Sequence, residues 1–382
     1  MKHKIFLTVL AICISLMAAA QPYAIGKATR NYIDQSRSSR SINVELYYPA
    51  QSAGTNTAVA SGSFGTITVG HGFVMGVDAY YHLRDTLVPM GYVVALVNME
   101  GGLSPSHGSF GQDMAFVAQA LADENTQNSS IFYAKLNDKK VLLGHSMGGG
   151  SGILASTQNA NINGYIGFAP AETNPSAIAA ASGMSCPTLI FAGSADCVSP
   201  PAANQLPMYN AAKVGSSCAT YIALQGASHC KFAYNNVACN FGESNCQGTI
   251  TREVQHQRMF KYLKPFLDYT LNGSLGSLAL FKNNLTTDPN ISYEQQCSAQ
   301  AEQNIREKMS ASIQKISEGN YKIVVQEPVM LSVFDVLGNK ITQKNTYKSS
   351  WELNKQDFGG ADAFYFVQLK NARNEIIFFK LN

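Results

Sequence analysis

The sequence predicts an α/β fold: a mostly parallel sheet with helices on both faces, followed by a small all-β region. Between about residues 42 and 297, short apolar runs of strand length alternate with stretches of helix length. That alternation is typical of a parallel sheet that is covered on both sides. After residue 320 the pattern changes to short strands separated by turn residues. We therefore expect an α/β domain over residues 21–297, a linker over 298–320 and a β domain over 321–382.

Seven segments of the first domain have the composition of sheet strands. The first alternates like a half-exposed strand, and the others are apolar or β-branched runs that suit burial on both faces. They are Asn43–Tyr48, Thr66–Val69, Tyr92–Asn98, Lys140–Gly144, Gly164–Ala169, Thr188–Ala192 and Thr220–Leu224. Helices are predicted between them, including Phe110–Ala122 and Met147–Ser156, and Gln255–Asn272 is predicted as the last long helix.

The first 20 residues have the pattern of a secretory signal peptide. A basic start is followed by an apolar run, Ile5–Met17, and by Ala18-Ala19-Ala20 before Gln21. The apolar run is shorter than the roughly 20 residues that a membrane span needs. Cleavage would remove two lysines and leave 26 basic against 25 acidic residues, a net charge of +1 instead of +3. We expect a secreted protein with no stable membrane span.

Composition excludes two other classes. Hydrophobic residues make up 46% of the chain, which is too many for a disordered protein. The near-neutral charge lacks the basic excess that nucleic-acid binding requires, so no nucleic-acid partner is expected.

The most specific motif is Gly144-His145-Ser146-Met147-Gly148, directly after a predicted buried strand. A G-x-S-x-G sequence between a strand and a helix is typical of a nucleophile elbow, a tight turn that exposes a reactive serine. We predict Ser146 as the nucleophile. The alternative is a glycine-rich loop without chemical function.

A nucleophilic serine needs a base and an acid that orients the base. Asp196 follows the predicted strand Thr188–Ala192, and His229 follows Thr220–Leu224. Both lie just beyond carboxyl ends of strands and in the chain order Ser, Asp, His. We predict Asp196 and His229 in these roles, with Glu172 as the rival acid. The other histidines do not fit by position, and His256 is expected to be a solvated residue of the last helix.

Two backbone N–H groups are needed to hold the oxyanion of the reaction. We predict those of Met147, the residue after the nucleophile, and of Phe73, in the loop after the strand Thr66–Val69. The Phe73 ring would face the acyl group, the alternative being core packing. His71 is expected to form supporting hydrogen bonds. Substrate contacts are predicted for Phe73, His145 and Glu172.

Seven cysteines remain after removal of the signal peptide, which carries Cys13. Connectivity cannot be deduced from sequence alone. Our first expectation is a disulfide between Cys197 and Cys230, which follow the acid and the base. Cys186 could pair with Cys218, and Cys239 and Cys246 flank a short loop; Cys297 would then be left over or would displace one of these partners. The spacing does not suit a zinc site, and no metal or cofactor is expected.

Several stretches together resemble polyester hydrolases, namely cutinases and poly(ethylene terephthalate) hydrolases, and also the dienelactone-hydrolase-like and chlorophyllase-like branches of the α/β-hydrolase fold. The resemblance covers residues 42–297 and depends on GHSMGGGSG, PTLIFAGSADCVSPPAANQLPMYNAA and GASHC. It implies Ser146, Asp196 and His229 as the triad. A Trp that these polyester enzymes usually carry after the sixth strand is absent here, since the only Trp is Trp351.

We therefore expect a monomeric serine carboxylic-ester hydrolase that acts on bulky or polymeric esters. A lipase-like or chlorophyllase-like esterase is the alternative, and a non-catalytic surface-binding protein is a further one. The C-terminal segments LSVFDVLGNKI and AFYFVQLK resemble the sorting domain of type IX secretion. That resemblance implies the type IX machinery as a partner and export to the cell surface or medium.

Overall fold

A computed structural model describes residues 22–158, 161–246, 248–299, 311–335, 340–360, 365–371 and 376–381. The predicted signal peptide, 1–20, lies outside the described residues, as does most of the predicted linker. No helix in the described part of the chain is long and apolar enough to cross a membrane.

The first domain contains a ten-stranded sheet. Its strands are β1 (Ala24–Asp34), β2 (Arg40–Ala50), β3 (Gly54–Thr55), β4 (Phe64–Gly70), β5 (Tyr92–Val97), β6 (Leu136–His145), β7 (Gly164–Phe168), β8 (Thr188–Gly193), β9 (Cys218–Leu224) and β10 (Ile291–Cys297). Their spatial order is β10-β9-β8-β7-β6-β4-β5-β2-β1-β3. The central pairs from β5 to β9 are parallel, whereas β1–β2, β2–β5 and β9–β10 are antiparallel. The predicted mostly parallel sheet is confirmed.

Eight α-helices accompany this sheet in the described residues. They are α1 (Tyr81–Leu87), α2 (His107–Asp123), α3 (Met147–Gln158), α4 (Ala177–Ala181), α5 (Gln205–Gly215), α6 (Val237–Gly242), α7 (Arg252–Asn272) and α8 (Leu275–Thr287). The prediction that the helix ending at Asn272 is the last one is wrong, because α8 follows Gly273, which ends α7 in the left-handed conformation at φ 70°.

Two hydrophobic cores lie on opposite faces of the sheet. Strand β5 shows the division: Val93 and Ala95 belong to one core, and Val94 and Leu96 to the other. Helices α2 to α5 contribute to the first core, and α1, α7 and α8 to the second. Because alternate side chains of a strand point to opposite faces, a continuous apolar run serves both cores at once. This burial fixes the register of the strands whose ends carry the site.

The C-terminal region is a separate antiparallel sheet, as predicted. Its strands are β11 (Ala311–Ser317), β12 (Asn320–Phe334), β13 (Lys340–Asn354), β14 (Tyr365–Asn371) and β15 (Ile376–Leu381). Trp351 belongs to its core. One boundary differs from the prediction: β11 pairs with β12 and belongs to this sheet, although it lies in the expected linker.

Candidate active site

Ser146 lies at the sharp turn between β6 and α3. Its φ of 53° is in the left-handed region, which residues other than glycine rarely adopt. The turn is held from both sides: the N–H of Ser146 donates to the carbonyl of Phe168, and its carbonyl accepts from Gly150 and Ala171, each at 3.0 Å. These bonds secure the strained conformation that presents the hydroxyl at the carboxyl edge of the sheet, as a nucleophile elbow requires.

Glycines allow that turn to pack closely against β4. A Cβ atom on Gly148 would collide with the backbone of Gly70 and would lie 2.6 Å from the carbonyl oxygen of His71. A Cβ on Gly144 would likewise collide with the backbone of Gly148. Since backbone atoms cannot rotate away as a side chain can, only glycine fits at these positions.

Strained backbone concentrates at this edge of the sheet. Among the described residues, eight that are not glycine have positive φ, and four of them follow the ends of β4, β5, β6 and β7. These four are Val74, Glu100, Ser146 and Ala169. Val74 is β-branched, for which the left-handed region is especially unfavourable, and it adjoins Phe73. Strained residues of this kind cluster at functional sites, because the surrounding structure has to hold them in place.

Asp196 and His229 lie side by side at the same edge, after β8 and β9. The Nδ1 atom of His229 is 2.7 Å from Oδ2 of Asp196, and both side chains are almost fully buried. The other carboxylate oxygen, Oδ1, accepts the N–H groups of Val198 and Ser199 at 2.9 and 2.8 Å. Three donors therefore converge on one carboxylate, which fixes its orientation toward the imidazole ring.

A third polar residue, Ser199, joins this pair and was not predicted. Its Oγ lies 3.2 Å from Nδ1 of His229 and 3.3 Å from Oδ2 of Asp196. Gln205 donates from Nε2 to that hydroxyl oxygen at 3.0 Å and to the Pro170 carbonyl at 2.7 Å. The D-x-x-S spacing, in which an Asp accepts from the backbone two and three residues further on, is the signal that could have revealed Ser199.

The backbone before His229 is clamped from α7. Gln255 accepts the Ser228 N–H at 3.0 Å and donates to the Ser228 carbonyl at 2.9 Å. Arg252 donates to the Ala233 carbonyl at 2.7 Å on the other side of the histidine. The loop that carries His229 is therefore fixed at both ends by one helix. Sequence reasoning missed this clamp because neither residue belongs to a local motif.

His145 differs from the prediction that it contacts substrate. Its side chain is fully buried and both ring nitrogens are engaged: Nε2 donates to the His229 carbonyl at 3.1 Å, and Nδ1 accepts from the Tyr80 hydroxyl at 2.8 Å. The backbone carbonyl can only accept, so Nε2 must carry the proton. Burial lowers the pKa of His145 well below its usual value, and His229, whose ring centroid is 4.8 Å away, lowers it further. His145 is therefore a neutral, positioning residue.

Tyr80 links His145 to the loop that carries Phe73. The Tyr80 hydroxyl also accepts the N–H of Gly72 at 2.8 Å, and burial raises the pKa of this phenol, so it stays protonated. The chain Gly72–Tyr80–His145–His229, which we call the relay, connects three loops by hydrogen bonds. It leaves the N–H of Phe73, next in the loop, as the candidate oxyanion donor there. His71 forms the expected supporting bond, from Nε2 to the Met99 carbonyl at 2.7 Å.

The remaining predicted residues have different surroundings. The Phe73 side chain is 48% exposed, so the alternative of core packing is wrong. Met147 begins α3, where backbone N–H groups have no partner within the helix. Glu172 is exposed, and its carboxylate accepts the Ile178 N–H of α4 at 2.9 Å. Contact of Phe73 and Glu172 with substrate stays a prediction.

The predicted disulfide pairs are wrong, although six of the cysteines are paired and Cys297 displaces Cys186 as the partner of Cys218, which was one of the alternatives. The bridges are Cys197–Cys246, Cys218–Cys297 and Cys230–Cys239, and Cys186 is a buried free thiol. Cys218 and Cys297 face each other because β10 adds antiparallel to β9. Cys197 and Cys230, which we expected to pair with each other, are instead each linked to the segment around α6.

His256 is not the solvated residue we expected. Its ring stacks on that of His82, with centroids 4.4 Å apart and planes at 19°, beneath Tyr234. Burial lowers the pKa of His82 well below its usual value and that of His256 to about 4. Among the described residues, no group of three or more His, Cys, Asp or Glu side chains is arranged to hold a metal.

A family model described as PET hydrolase-like matches residues 14–250, which is more than half of the chain. The chain belongs to the PET hydrolase-like family. Its membership, together with the relatives below, indicates a carboxylic ester hydrolase.

Relatives of this PET hydrolase-like chain are distant. A bis(hydroxyethyl) terephthalate hydrolase of Streptomyces coelicolor is 24% identical over 48% of the chain and 54% of its own length. A cutinase of Thermobifida fusca is 24% identical over 58% of the chain and 74% of its own length. Cutinase 1 of Thermobifida cellulosilytica is 24% identical over 48% and 64%. The chain thus spans only about half to three quarters of these proteins.

Proposed function

We propose that this chain is a serine carboxylic-ester hydrolase with Ser146 as nucleophile, His229 as general base and Asp196 as its orienting acid. The observation that carries the proposal is the buried His229–Asp196 pair at 2.7 Å, at the same sheet edge as the strained turn of Ser146. The ring of His145, the residue before the serine, lies 4.8 Å from that of His229. The proposed nucleophile and base are therefore brought near each other, although they are 83 positions apart in the sequence.

In the proposed reaction, Ser146 Oγ bonds to the ester carbonyl carbon while His229 Nε2 takes the hydroxyl proton. The carbonyl oxygen becomes an oxyanion, held by the N–H groups of Phe73 and Met147. When the ester C–O bond breaks, the imidazolium returns the proton to the leaving alcohol. Asp196 keeps the imidazole in the required tautomer and stabilises its charged form. Water, activated by His229, then cleaves the acyl-enzyme to give the acid and restores Ser146.

The substrates we propose are bulky or polymeric esters, including aromatic polyesters. The family match and the names of the relatives support this class. The half-exposed ring of Phe73 next to the strained Val74 also supports it, because it offers an apolar surface beside the reacting carbonyl. Rates on amorphous polyester film, emulsified triglyceride and chlorophyll would test it. A higher rate on triglyceride or chlorophyll than on every polyester would overturn the polyester assignment.

Turnover of p-nitrophenyl butyrate by Ser146→Ala tests the enzyme itself. We expect a loss of about 10⁴-fold or more in kcat, since the nucleophile is removed. The matched control is Ser151→Ala on the same helix, a buried serine whose Oγ has no hydrogen-bond partner in the structure. It should keep activity within about twofold. Equal turnover by Ser146→Ala and wild type would disprove the nucleophile.

We propose further that the chain is exported, with residues 1–20 removed and the C-terminal sheet acting as a type IX sorting domain, and that it acts as a monomer. The separate antiparallel sheet with its own core supports a module of this kind. Expression in a type IX-competent host, with and without residues 311–382, tests the sorting role. We expect the full chain outside the cells, with Gln21 as its N-terminus, and the truncated chain retained. Equal export of both would contradict it.

A further inference from the structure

The segment around α6 is tied to the acid and the base by two disulfides. Cys239, within α6, is bonded to Cys230, the residue after His229, with Cα atoms 5.6 Å apart. Cys246, just beyond the helix, is bonded to Cys197, the residue after Asp196, with Cα atoms 5.8 Å apart. The helix is therefore fixed next to the loops that carry the proposed acid and base. Such cross-links are needed there because a helix of six residues is not stable by itself.

The two sides of α6 differ in chemistry. Cys239 packs against the core beneath α1 and α7, and the buried Glu243 accepts the Cys230 N–H at 3.1 Å. Val237 and Phe241, spaced four residues apart and so on one face, are each 83% exposed. The helix thus turns its polar anchor inward and its apolar face outward. A surface helix usually turns its apolar face inward and its polar face to solvent. The exposed pair Val237 and Phe241 therefore indicates that this face binds a partner.

Other exposed apolar residues lie at the same edge of the sheet. Phe73, Leu103 and Val198 follow β4, β5 and β8, and they are 48%, 81% and 41% exposed. The disulfides hold α6 beside the loops after β8 and β9, so the helix lies at the edge of the sheet where these residues and Ser146 lie. We call α6 with these three residues the rim.

The charge of the segment around α6 indicates what kind of surface its apolar face binds. From Phe232 to Thr251 the sequence has no Lys or Arg, and its single carboxylate, Glu243, is turned inward. An anionic membrane would require basic residues at this place, whereas an uncharged apolar surface would bind without them. We infer that the rim docks the enzyme onto the surface of a solid, uncharged polyester, with Val237 and Phe241 of α6 as its main contacts. This inference rests on the proposed ester hydrolase.

The test compares one variant on two substrates. Val237→Ser/Phe241→Ser should keep kcat/KM on soluble p-nitrophenyl acetate within about twofold, because neither side chain belongs to the triad or the oxyanion loop. Adsorption to amorphous polyester film and product release from it should each fall at least fivefold. The matched control, Val214→Ser/Leu280→Ser, removes two exposed apolar residues from α5 and α8, which are 77% and 51% exposed. It should leave both film measurements unchanged.

The inference would be overturned by unchanged film binding of the α6 variant, by an equal loss in the control, or by a dimer in the wild type that the α6 variant dissociates. Binding to phosphatidylserine vesicles in place of film would overturn it too. The single variant Phe241→Ser, with its Tm measured, serves if the double variant does not fold, and it must show the same film-specific loss. Inactivity of the wild type on the soluble ester would instead refute the proposed function and is distinguishable from all of these.

Discussion

The two halves of the candidate site are held together by different means. The serine half, comprising the loop after β4 and the turn at Ser146, is fixed by glycine contacts between backbones and by the relay through Tyr80 and His145. The half with Asp196 and His229 depends on cross-links, since all three disulfides join residues from Cys197 onward. The strands are neighbours in both halves, β4 beside β6 and β8 beside β9, but only in the second half do disulfides tie the residues after the strands to another segment, the one around α6.

The largest effect is expected from removal of the Cys197–Cys246 disulfide, which lies next to Asp196. Cys197→Ser/Cys246→Ser opens a loop with a sequence separation of 49, and the loop-closure estimate gives a loss of about 4 kcal/mol in the free energy of unfolding. Cys230→Ser/Cys239→Ser, with a separation of 9, should cost about 3 kcal/mol. Denaturant unfolding measures both, with Cys186→Ala as the control for loss of a cysteine. Equal stability with and without the bridges would contradict the cross-linking account.

Gly148→Ala tests the serine half. The new Cβ meets the backbone of β4, so we expect a loss at the upper end of the range for overpacking, about 3 kcal/mol. The control is Gly242→Ala at the end of α6, where nothing lies within 4 Å of the added atom. Its stability should be unchanged or slightly higher. If thermal unfolding shows the two variants to be alike, backbone contact does not hold the serine turn.

Tyr80→Phe interrupts the relay without changing the shape of the core. His145 Nδ1 and the Gly72 N–H both lose their partner, so we expect kcat to fall about tenfold with little change in KM, because the oxyanion loop is misplaced for the transition state. Tyr48→Phe is the control. It removes the hydroxyl of a buried tyrosine in β2 that donates to the Thr57 carbonyl and takes no part in the relay. A loss of stability with kcat intact would leave Tyr80 a purely structural residue.

The smallest expected effect is on the loss of stability at low pH. Burial and Arg252 lower the pKa of both His82 and His256, and His256 also lowers that of His82, so both are neutral in the folded state, although Glu253 opposes this for His256. In the unfolded chain both histidines take up protons below a pH of about 6.5. Their contribution to the free energy of unfolding is therefore fully present above that pH and is lost as the pH falls toward 4. In His256→Phe the decrease of Tm between pH 7 and pH 4 should be shallower than in the wild type. Parallel curves would exclude the stacked pair as the acid-sensitive element.

Much of the fold and site follows from sequence where local pattern and burial coincide. The apolar runs at Tyr92 and Thr188 are strands within a residue of their predicted ends, because they are buried on both faces. Asp196 and His229 were placed together because strand ends converge at one edge of a parallel sheet. By contrast, β10 has a largely polar sequence with no apolar run, and it was missed along with the disulfide it forms.

Other features depend on tertiary contacts that no local pattern records. The disulfides of Cys197 and Cys230 go to the segment around α6, which becomes their neighbour only in the folded chain, so proximity to the predicted triad in sequence was the wrong guide. His145 looked like a substrate contact because it adjoins Ser146, yet the turn directs its ring into the core. Ser199 and Gln205 support the acid from positions that become neighbours only after β8 and α5 pack together.

The central claim is that Ser146 is the nucleophile and that the buried Asp196–His229 pair activates it. A p-nitrophenyl alkylphosphonate ester reports this directly, because it releases p-nitrophenolate as it bonds to an activated serine. We predict one equivalent of p-nitrophenolate per chain, a single phosphonyl adduct on the peptide that contains Ser146 by mass spectrometry, and no adduct in His229→Ala. An adduct on another residue, or full ester turnover by a chain that takes up no label, would contradict the account.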